Sequence, residues 1–208
     1  MEKFTTLTGV AAPLPLINVD TDMIIPKAHC KSVLRTGFGP HLFHDIRYFD
    51  DGTECPDFVL NRPPYRDAAI LIAGRNFGCG SSREAAVWAI REFGIRCLVA
   101  PGFADIFANN CFQNGVLPVC LPEARVDRLL ALARDTASPV MTVDLEARRL
   151  TAPDGGRITF VIDSYRRDCL LNGLDEIGAT LTHETGISAH ERWIDTQQSW
   201  RRPAQDRA

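Results

Sequence analysis

Residues 67–93 constrain the fold more than any other part of the chain. An apolar run, Asp67-Ala-Ala-Ile-Leu-Ile-Ala73, leads into Gly74-Arg-Asn-Phe-Gly-Cys-Gly-Ser-Ser-Arg-Glu84, and this leads into Ala85-Ala-Val-Trp-Ala-Ile-Arg-Glu-Phe93. The first segment has the length and composition of a buried strand, and the last has apolar residues at helical spacing. A strand that ends in a glycine loop and opens directly into a helix brings unpaired backbone N–H groups and the positive end of the helix dipole to one point. An anion is stabilised there. Gly78 and Gly80 let a ligand come close to the backbone, and Ser81, Ser82 and Arg83 follow at once. The loop has the parts to hold a carboxylate or phosphate against a hydroxyl capable of chemistry.

The neighbouring pattern extends this unit. Residues 97–100 form a second short apolar strand, so strand, helix and strand follow in the order of a parallel crossover. Residues 103–111 predict a helix closed near Gly115, residues 116–121 a strand, and residues 123–134 a helix with Val126, Leu129, Leu130 and Ala133 on one face. Residues 139–145 and 148–151 predict strands, and Asp154-Gly-Gly156 is a hairpin turn before a returning segment at 157–162. Residues 163–172 predict a helix ended by Gly173, and 174–191 helical pieces, the first capped by Asp175. At the N-terminal end, residues 10–17 are apolar but broken by Pro13 and Pro15, which predicts an edge strand or an extended entry. Residues 18–26 form a carboxylate-rich turn, and 27–35 a short helix closed by Gly37 and Gly39. The expectation is one α/β core with a helical C-terminal extension from about residue 164, a single domain over 1–195, and a flexible tail over 196–208.

Composition narrows the function. The net charge of −3 gives no support to nucleic-acid binding. No apolar run has the length of a membrane span, and the N-terminus lacks the basic start and apolar core of a signal peptide. The cysteine count is 7, an odd number, with no Cys-x-x-Cys pair, which speaks against a disulfide framework and for the reducing cytoplasm. It also leaves no local motif for zinc or an iron–sulfur cluster, so no metal is expected on this chain. Lys3, Lys27 and Lys31 are the only lysines; the other cations are arginines, which suit bidentate carboxylate binding better.

Each candidate residue has a plain structural alternative. Ser81-x-x-Glu84 fits a helix capping box, in which Ser81 does no chemistry. A cap, however, needs neither a second hydroxyl at Ser82 nor a guanidinium at Arg83. A nucleotide loop fits less well, because the Gly-Lys-Ser/Thr ending is missing and the glycine spacing is not that of the dinucleotide fingerprint. None of His29, His41, His44, His183 and His190 is near the loop in sequence, and each reads singly as a surface or structural residue. Asp20 and Asp22 are turn formers, or they orient the loop and a substrate-binding arginine. Arg35 is a solvated arginine or a second guanidinium for an acidic substrate, and Asn109, Asn110 and Asn114 read as helix-end and turn residues.

Asn18-Val-Asp-Thr-Asp-Met-Ile-Ile-Pro26, Gly74 to Glu84, Phe103-Ala-Asp-Ile-Phe107, Asn114-Gly-Val-Leu-Pro118 and Asn172-Gly-Leu-Asp-Glu-Ile-Gly-Ala-Thr-Leu181 appear in that order. In these motifs the chain resembles the small-subunit family of isopropylmalate dehydratase, in the aconitase superfamily. The resemblance runs to about residue 195. It implies a swivelling β/β/α domain that pairs with a separate large subunit carrying a [4Fe–4S] cluster, with no cofactor on this chain. It implies exchange of 2-isopropylmalate and 3-isopropylmalate through isopropylmaleate in leucine biosynthesis, with the cluster iron as Lewis acid. By the same resemblance Ser81 is the base, Ser82 and Arg83 contact a substrate carboxylate, and Arg35 is a second carboxylate-binding arginine. The stretch Val33-Leu-Arg-Thr36 tunes the substrate's side group, and Asp20, Asp22, Asn76, Gly78, Gly80 and Glu84 support the loop. The sequence departs from the family at Ala85 and Val87, where histidine and proline are usual, and at Gly102, where serine is common. These departures keep two alternatives open: a paralogous hydro-lyase subunit acting on another 2-hydroxy acid, and a non-catalytic carboxylate-binding module.

Overall fold

The computed structural model describes residues 1–30 and 35–198. In chain order it contains β1 (Thr6–Leu14), α1 (Thr21–Ile24), α2 (His44–Arg47), β2 (Ala68–Ala73), α3 (Glu84–Phe93), β3 (Cys97–Ala100), α4 (Asp105–Gln113) and β4 (Leu117–Cys120). Then come α5 (Glu123–Asp135), β5 (Val140–Asp144), β6 (Arg149–Thr151), β7 (Arg157–Thr159), α6 (Ser164–Asn172), α7 (Glu176–Leu181) and α8 (Glu184–Gln197). The strands form one seven-stranded sheet in the order β4-β3-β2-β1-β5-β6-β7. The pairs β1–β2, β2–β3 and β3–β4 are parallel, and β1–β5, β5–β6 and β6–β7 are antiparallel.

β2 shows why the parallel half is apolar on both faces. Its side chains alternate, so Leu71 and Ala73 enter one core with Ala86, Val87 and Ile90 of α3 and Phe107 of α4. Ile70 and Ile72 enter the other, with Val126, Leu129 and Ala133 of α5. Burial on both sides is what turned this strand into a continuous apolar run in the sequence. The expected cap at Asp175 and stop at Gly173 are present, and Asp163 and Gly94 add two more ends. Asp163 accepts from the Arg166 N–H and Asp175 from the Gly178 N–H, while Gly94 and Gly173 close α3 and α6 in the left-handed conformation.

β1 corrects the expectation of an edge strand, since it lies inside the sheet between β2 and β5. Its two flanks are used along different stretches: Thr6 to Val10 pair with β5, and Val10 to Leu14 with β2. The Ala11 N–H donates to the Pro139 carbonyl on the β5 side. Two residues on, the missing N–H of Pro13 faces the same way, past the end of β5, so no ladder bond is lost. The short helix expected over 27–35 appears as a 3-10 turn at Lys27–His29, its residues 31–34 lying outside the described residues. The chain divides into two compact units, Met1–Gly173 and Leu174–Ala208. In the second unit neither α7 nor α8 has a buried residue; α8 runs on through residues 196 and 197, where the expected tail over 196–208 begins, and residues 199–208 lie outside the described residues. Among the described residues no helix is long and apolar enough to cross a membrane.

Candidate active site

Three loops leave the carboxyl ends of β1, β2 and β3, and short backbone contacts continue the sheet order among them. Asp20 bridges Cys79 in parallel, and Phe77 bridges Phe103. The Gly78 N–H donates to Val19 O at 2.7 Å and the Thr21 N–H to Cys79 O at 3.0 Å. The carboxyl edge of a parallel sheet is where such folds place ligands, because the loops there meet helix N-termini. Here a cleft of about 250 Å³ opens between the loop that leads into α3 and the first residues of α4. Gly78, Gly80, Ser81, Ser82 and Arg83 line one side, Asp105, Ile106 and Asn110 the other, and Thr21 also reaches it.

Gly78 is required by both backbone and space. Its φ is +76°, and a Cβ there would lie 2.1 Å from Cγ of Phe107, the residue that joins α4 to the core. Phe107 in turn meets the buried Phe77 ring edge-on at 5.5 Å. Asn76 is left-handed, with φ 60°, and its Nδ2 donates to Asn18 Oδ1 at 2.9 Å, so it ties the β1 loop to the β2 loop.

The capping-box alternative for Ser81 fails. α3 begins at Glu84, its N-cap is Arg83 with φ −135° and ψ 104°, and no side chain caps it. The helix does not begin until after Arg83, and Ser81 and Ser82 are exposed at the mouth of the cleft. Glu84 turns the other way. It accepts from Asn114 Nδ2 at 2.9 Å, and Asn114 Oδ1 accepts from the Trp88 indole at 3.1 Å. This network fastens the end of α4 to α3 and so fixes the two sides of the cleft.

Thr21 holds the Ser81 end of the loop. The residue is 2% exposed. Its Oγ1 donates to the Ser81 carbonyl at 2.8 Å and stands 3.5 Å from Ser81 Oγ. With the threonine proton committed to the carbonyl, the serine hydroxyl is the donor in the longer contact. The two acids beside Thr21 divide their roles. Asp20 caps α1, accepting from the Met23 N–H at 2.7 Å. Asp22 forms a fork-to-fork ion pair with Arg83, including a bond from Nη2 at 2.7 Å. That hydrogen bond holds the Asp22 carboxyl below its ordinary range and pushes the Arg83 guanidinium up. Arg83 also donates to Ile25 O at 3.4 Å, which still leaves part of its five-donor fork for a ligand.

Arg35 is not brought to the cleft. It is exposed, with its guanidinium carbon 5.4 Å from the Trp88 ring centroid. The loop after it is anchored by Glu92 of α3, whose carboxylate accepts from the N–H groups of Gly37, Phe38 and Gly39 at 2.6–3.0 Å. No histidine lines the cleft among the described residues, so Ser81 has no imidazole base of the hydrolase kind. Three of the histidines, read singly as surface or structural residues, instead form a cluster: His29, His41 and His44. Burial, then the neighbouring rings, hold His29 and His41 below the ordinary imidazole range.

Sequence reasoning missed Thr21 and Asn110 as cleft residues and Glu92 as the loop anchor. Thr21 carried one signal, its place between two functional acids. Asn110 and Glu92 carried none, since each acts on a segment far away in the chain. The departures at Ala85 and Val87 do not reach the cleft: Ala85 is half-buried and Val87 lies in the core.

Comparison with known proteins agrees with this arrangement. The family model of the aconitase C-terminal domain matches residues 1–124, and a LeuD_N model matches residues 127–164. The chain is similar to the 3-isopropylmalate dehydratase small subunit of Paramagnetospirillum magneticum, 61% identical over 200 residues, covering 96% of this chain and 100% of the relative. It is similar to the protein of the same name from Parvibaculum lavamentivorans, 58% identical over 200 residues with the same coverage, 96% and 100%. Among solved structures, the fold is that of 3-isopropylmalate dehydratase (leuD) from Methanocaldococcus jannaschii, with a TM-score of 0.67 at 24% identity, covering 89% of this chain and 99% of that one.

Proposed function

The chain belongs to the 3-isopropylmalate dehydratase small-subunit family, and from that premise we propose that it completes a cytoplasmic hydro-lyase that interconverts 2-isopropylmalate and 3-isopropylmalate through isopropylmaleate, a step of leucine biosynthesis. The partner in this reading is a separate large subunit. The chain's own cysteines do not suit an iron–sulfur cluster. Cys97 and Cys111 are buried thiols whose pKa burial pushes up, and the described residues bring no three thiols to one point. In this reading the [4Fe–4S] cluster belongs to the large subunit, as the family resemblance implies.

The observation that carries the reading is an exposed Ser81 hydroxyl at a cleft that Arg83, the residue just before α3, also lines, with no histidine among the described lining residues. Ser81 Oγ takes the proton from the substrate carbon next to a carboxylate, and returns it during rehydration. That carboxylate gathers negative charge as the proton leaves. Arg83, Ser82 and the positive N-terminal end of α3, which no side chain caps, stand to receive that charge and lower the barrier. The same groups favour the serine oxygen as an anion. Thr21 holds the loop through the Ser81 carbonyl, and Asp22 holds the Arg83 fork in place. Arg35, now over Trp88, is left the second carboxylate in the closed complex with the large subunit.

The test is an anaerobic mixing assay with the large subunit from the same genome, following isopropylmaleate by ultraviolet absorbance. Activity in the mixture and in neither chain alone is the expected result. Associated chains with an intact cluster that ignore isopropylmaleate, and turn over another 2-hydroxy acid, would overturn the substrate assignment. Binding of malate-type acids without any turnover would leave a carboxylate-binding module.

A further inference from the structure

A second concentration of reactive side chains lies away from the cleft lining. His29 ends the 3-10 turn Lys27–His29, His41 ends the 3-10 turn Gly39–His41, and His44 opens α2. The His29 and His41 rings stack at 4.0 Å with a 13° tilt. The His44 ring is 4.3 Å from His29 and 5.9 Å from His41. One ring nitrogen from each residue lies within 4.8 Å of the other two. All three side chains are half-buried, so an ion among them keeps a path to solvent.

The backbone makes this meeting specific. The His29 N–H donates to Pro26 O at 2.9 Å and the His41 N–H to Phe38 O at 2.9 Å. Phe43, the residue before His44, takes the left-handed conformation with φ 55°, unusual for a bulky side chain, and its N–H donates to Ile24 O at 2.8 Å. Three imidazoles in mutual contact gain little from one another. As cations they repel, and as neutral rings they bring unshared electron pairs together; a metal ion satisfies those pairs. His44 Nδ1 also faces Asp45 Oδ1 at 3.3 Å. A carboxylate on one ring nitrogen fixes the tautomer and frees the other nitrogen for a metal.

We propose that His29, His41 and His44 form a binding site for one divalent transition-metal ion, with a fourth position open to water. The donor set chooses the class of ion. Three imidazoles suit zinc, nickel, cobalt or copper(II), whereas calcium and magnesium need oxygen ligands. The nearby thiol of Cys30 points instead to Pro26 O at 3.7 Å. His29 and His41 stand on either side of residues 30–40 in the chain. The ion therefore ties the two ends of that segment together and stabilises the folded chain by an amount that grows with the logarithm of its concentration over Kd.

The test uses the full-length chain, stripped of metal and kept reduced, and titrated with Zn²⁺ by calorimetry and with Co²⁺ by absorption spectroscopy. The expected result is one ion per chain and a rise in Tm. Affinity should fall at least tenfold in His29→Gln and in His41→Gln, about tenfold in Asp45→Asn, and not at all in His190→Gln. Bound cobalt should show visible ligand-field bands without thiolate charge transfer. In case a variant folds poorly, imidazole NMR of the wild type serves as the second readout: the His29, His41 and His44 resonances should move together on adding Zn²⁺, and those of His183 and His190 should not. No saturable binding, unchanged affinity in folded His29→Gln and His41→Gln chains, or a thiolate charge-transfer band from the bound cobalt would overturn the site.

Discussion

The two halves of the sheet share β1, yet only one of them makes a site. In the parallel half each strand must be followed by a crossover, and β2 and β3 each hand over to a helix at their carboxyl ends. Two helix N-termini therefore meet at one edge, and the cleft lies between them. In the antiparallel half β5, β6 and β7 are joined by tight turns. The first is held by Asp144 accepting from the Ala147 N–H at 2.8 Å, and the second by Asp154 accepting from the Gly156 N–H at 2.9 Å. Those turns satisfy themselves and leave no helix end to receive an anion. Connection type, more than residue composition, decides which edge of this sheet can do chemistry.

The sharpest way to break the contrast is Ser81→Ala in the parallel half. Ser81 is exposed and caps nothing, so folding stability should stay within about 0.5 kcal/mol, while kcat of the two-chain enzyme should fall about 10²–10⁴-fold. Calorimetric unfolding and steady-state rates on one preparation check both, and full activity would remove Ser81 as the base.

Next in size is the opposite substitution. Leu150 in β6 is fully buried, so Leu150→Ala should cost about 2–5 kcal/mol in denaturant unfolding. The rate of the surviving folded enzyme should not change. A lower kcat at a temperature where the variant is folded would show that the antiparallel half is not merely structural.

Arg83→Lys should act within the cleft alone. A lysine cannot share a fork with Asp22 and a substrate carboxylate at once. The loss of one charge-assisted hydrogen bond, about 1.5 kcal/mol, corresponds to a roughly tenfold rise in KM. An unchanged KM and kcat would remove Arg83 from substrate binding.

The smallest effect is on acid stability. The Asp22 carboxyl titrates lower in the folded chain than its ordinary 3.8, chiefly through the Arg83 hydrogen bond. Its contribution is therefore complete above that value and is lost as pH falls through the lower folded one. The difference in Tm between wild type and Asp22→Asn should be small, present at neutral pH, and absent in strong acid. A difference that grows on acidification would contradict this sign.

Much of the local structure was legible in the residues. The side-chain periods that separate a strand (about 2 residues) from a helix (about 3.6), the caps at Asp163 and Asp175, and the glycines at 94 and 173 all act within a few positions of themselves. The loop at 74–84 was legible for the same reason, because its glycines, hydroxyls and arginine are neighbours in the chain. Its proper start was not. Whether Ser81 or Arg83 stands at the N-cap depends on Thr21 and Asp22, which pull on Ser81 and Arg83 from 60 and 61 residues away.

The sequence alone determined that an apolar strand, a glycine loop and an amphipathic helix follow one another, and that an anion has reason to bind where they meet. The tertiary structure decided that β1 runs inside the sheet, that Asp22 rather than Asp20 holds Arg83, that Arg35 rests on Trp88, and that three histidines form one cluster. The physical reason is the range of the interactions. Propensity, periodicity and caps are set by neighbours in the chain, whereas an ion pair, a ring stack or a strand's second partner is set by which distant backbones the packed sheet brings side by side.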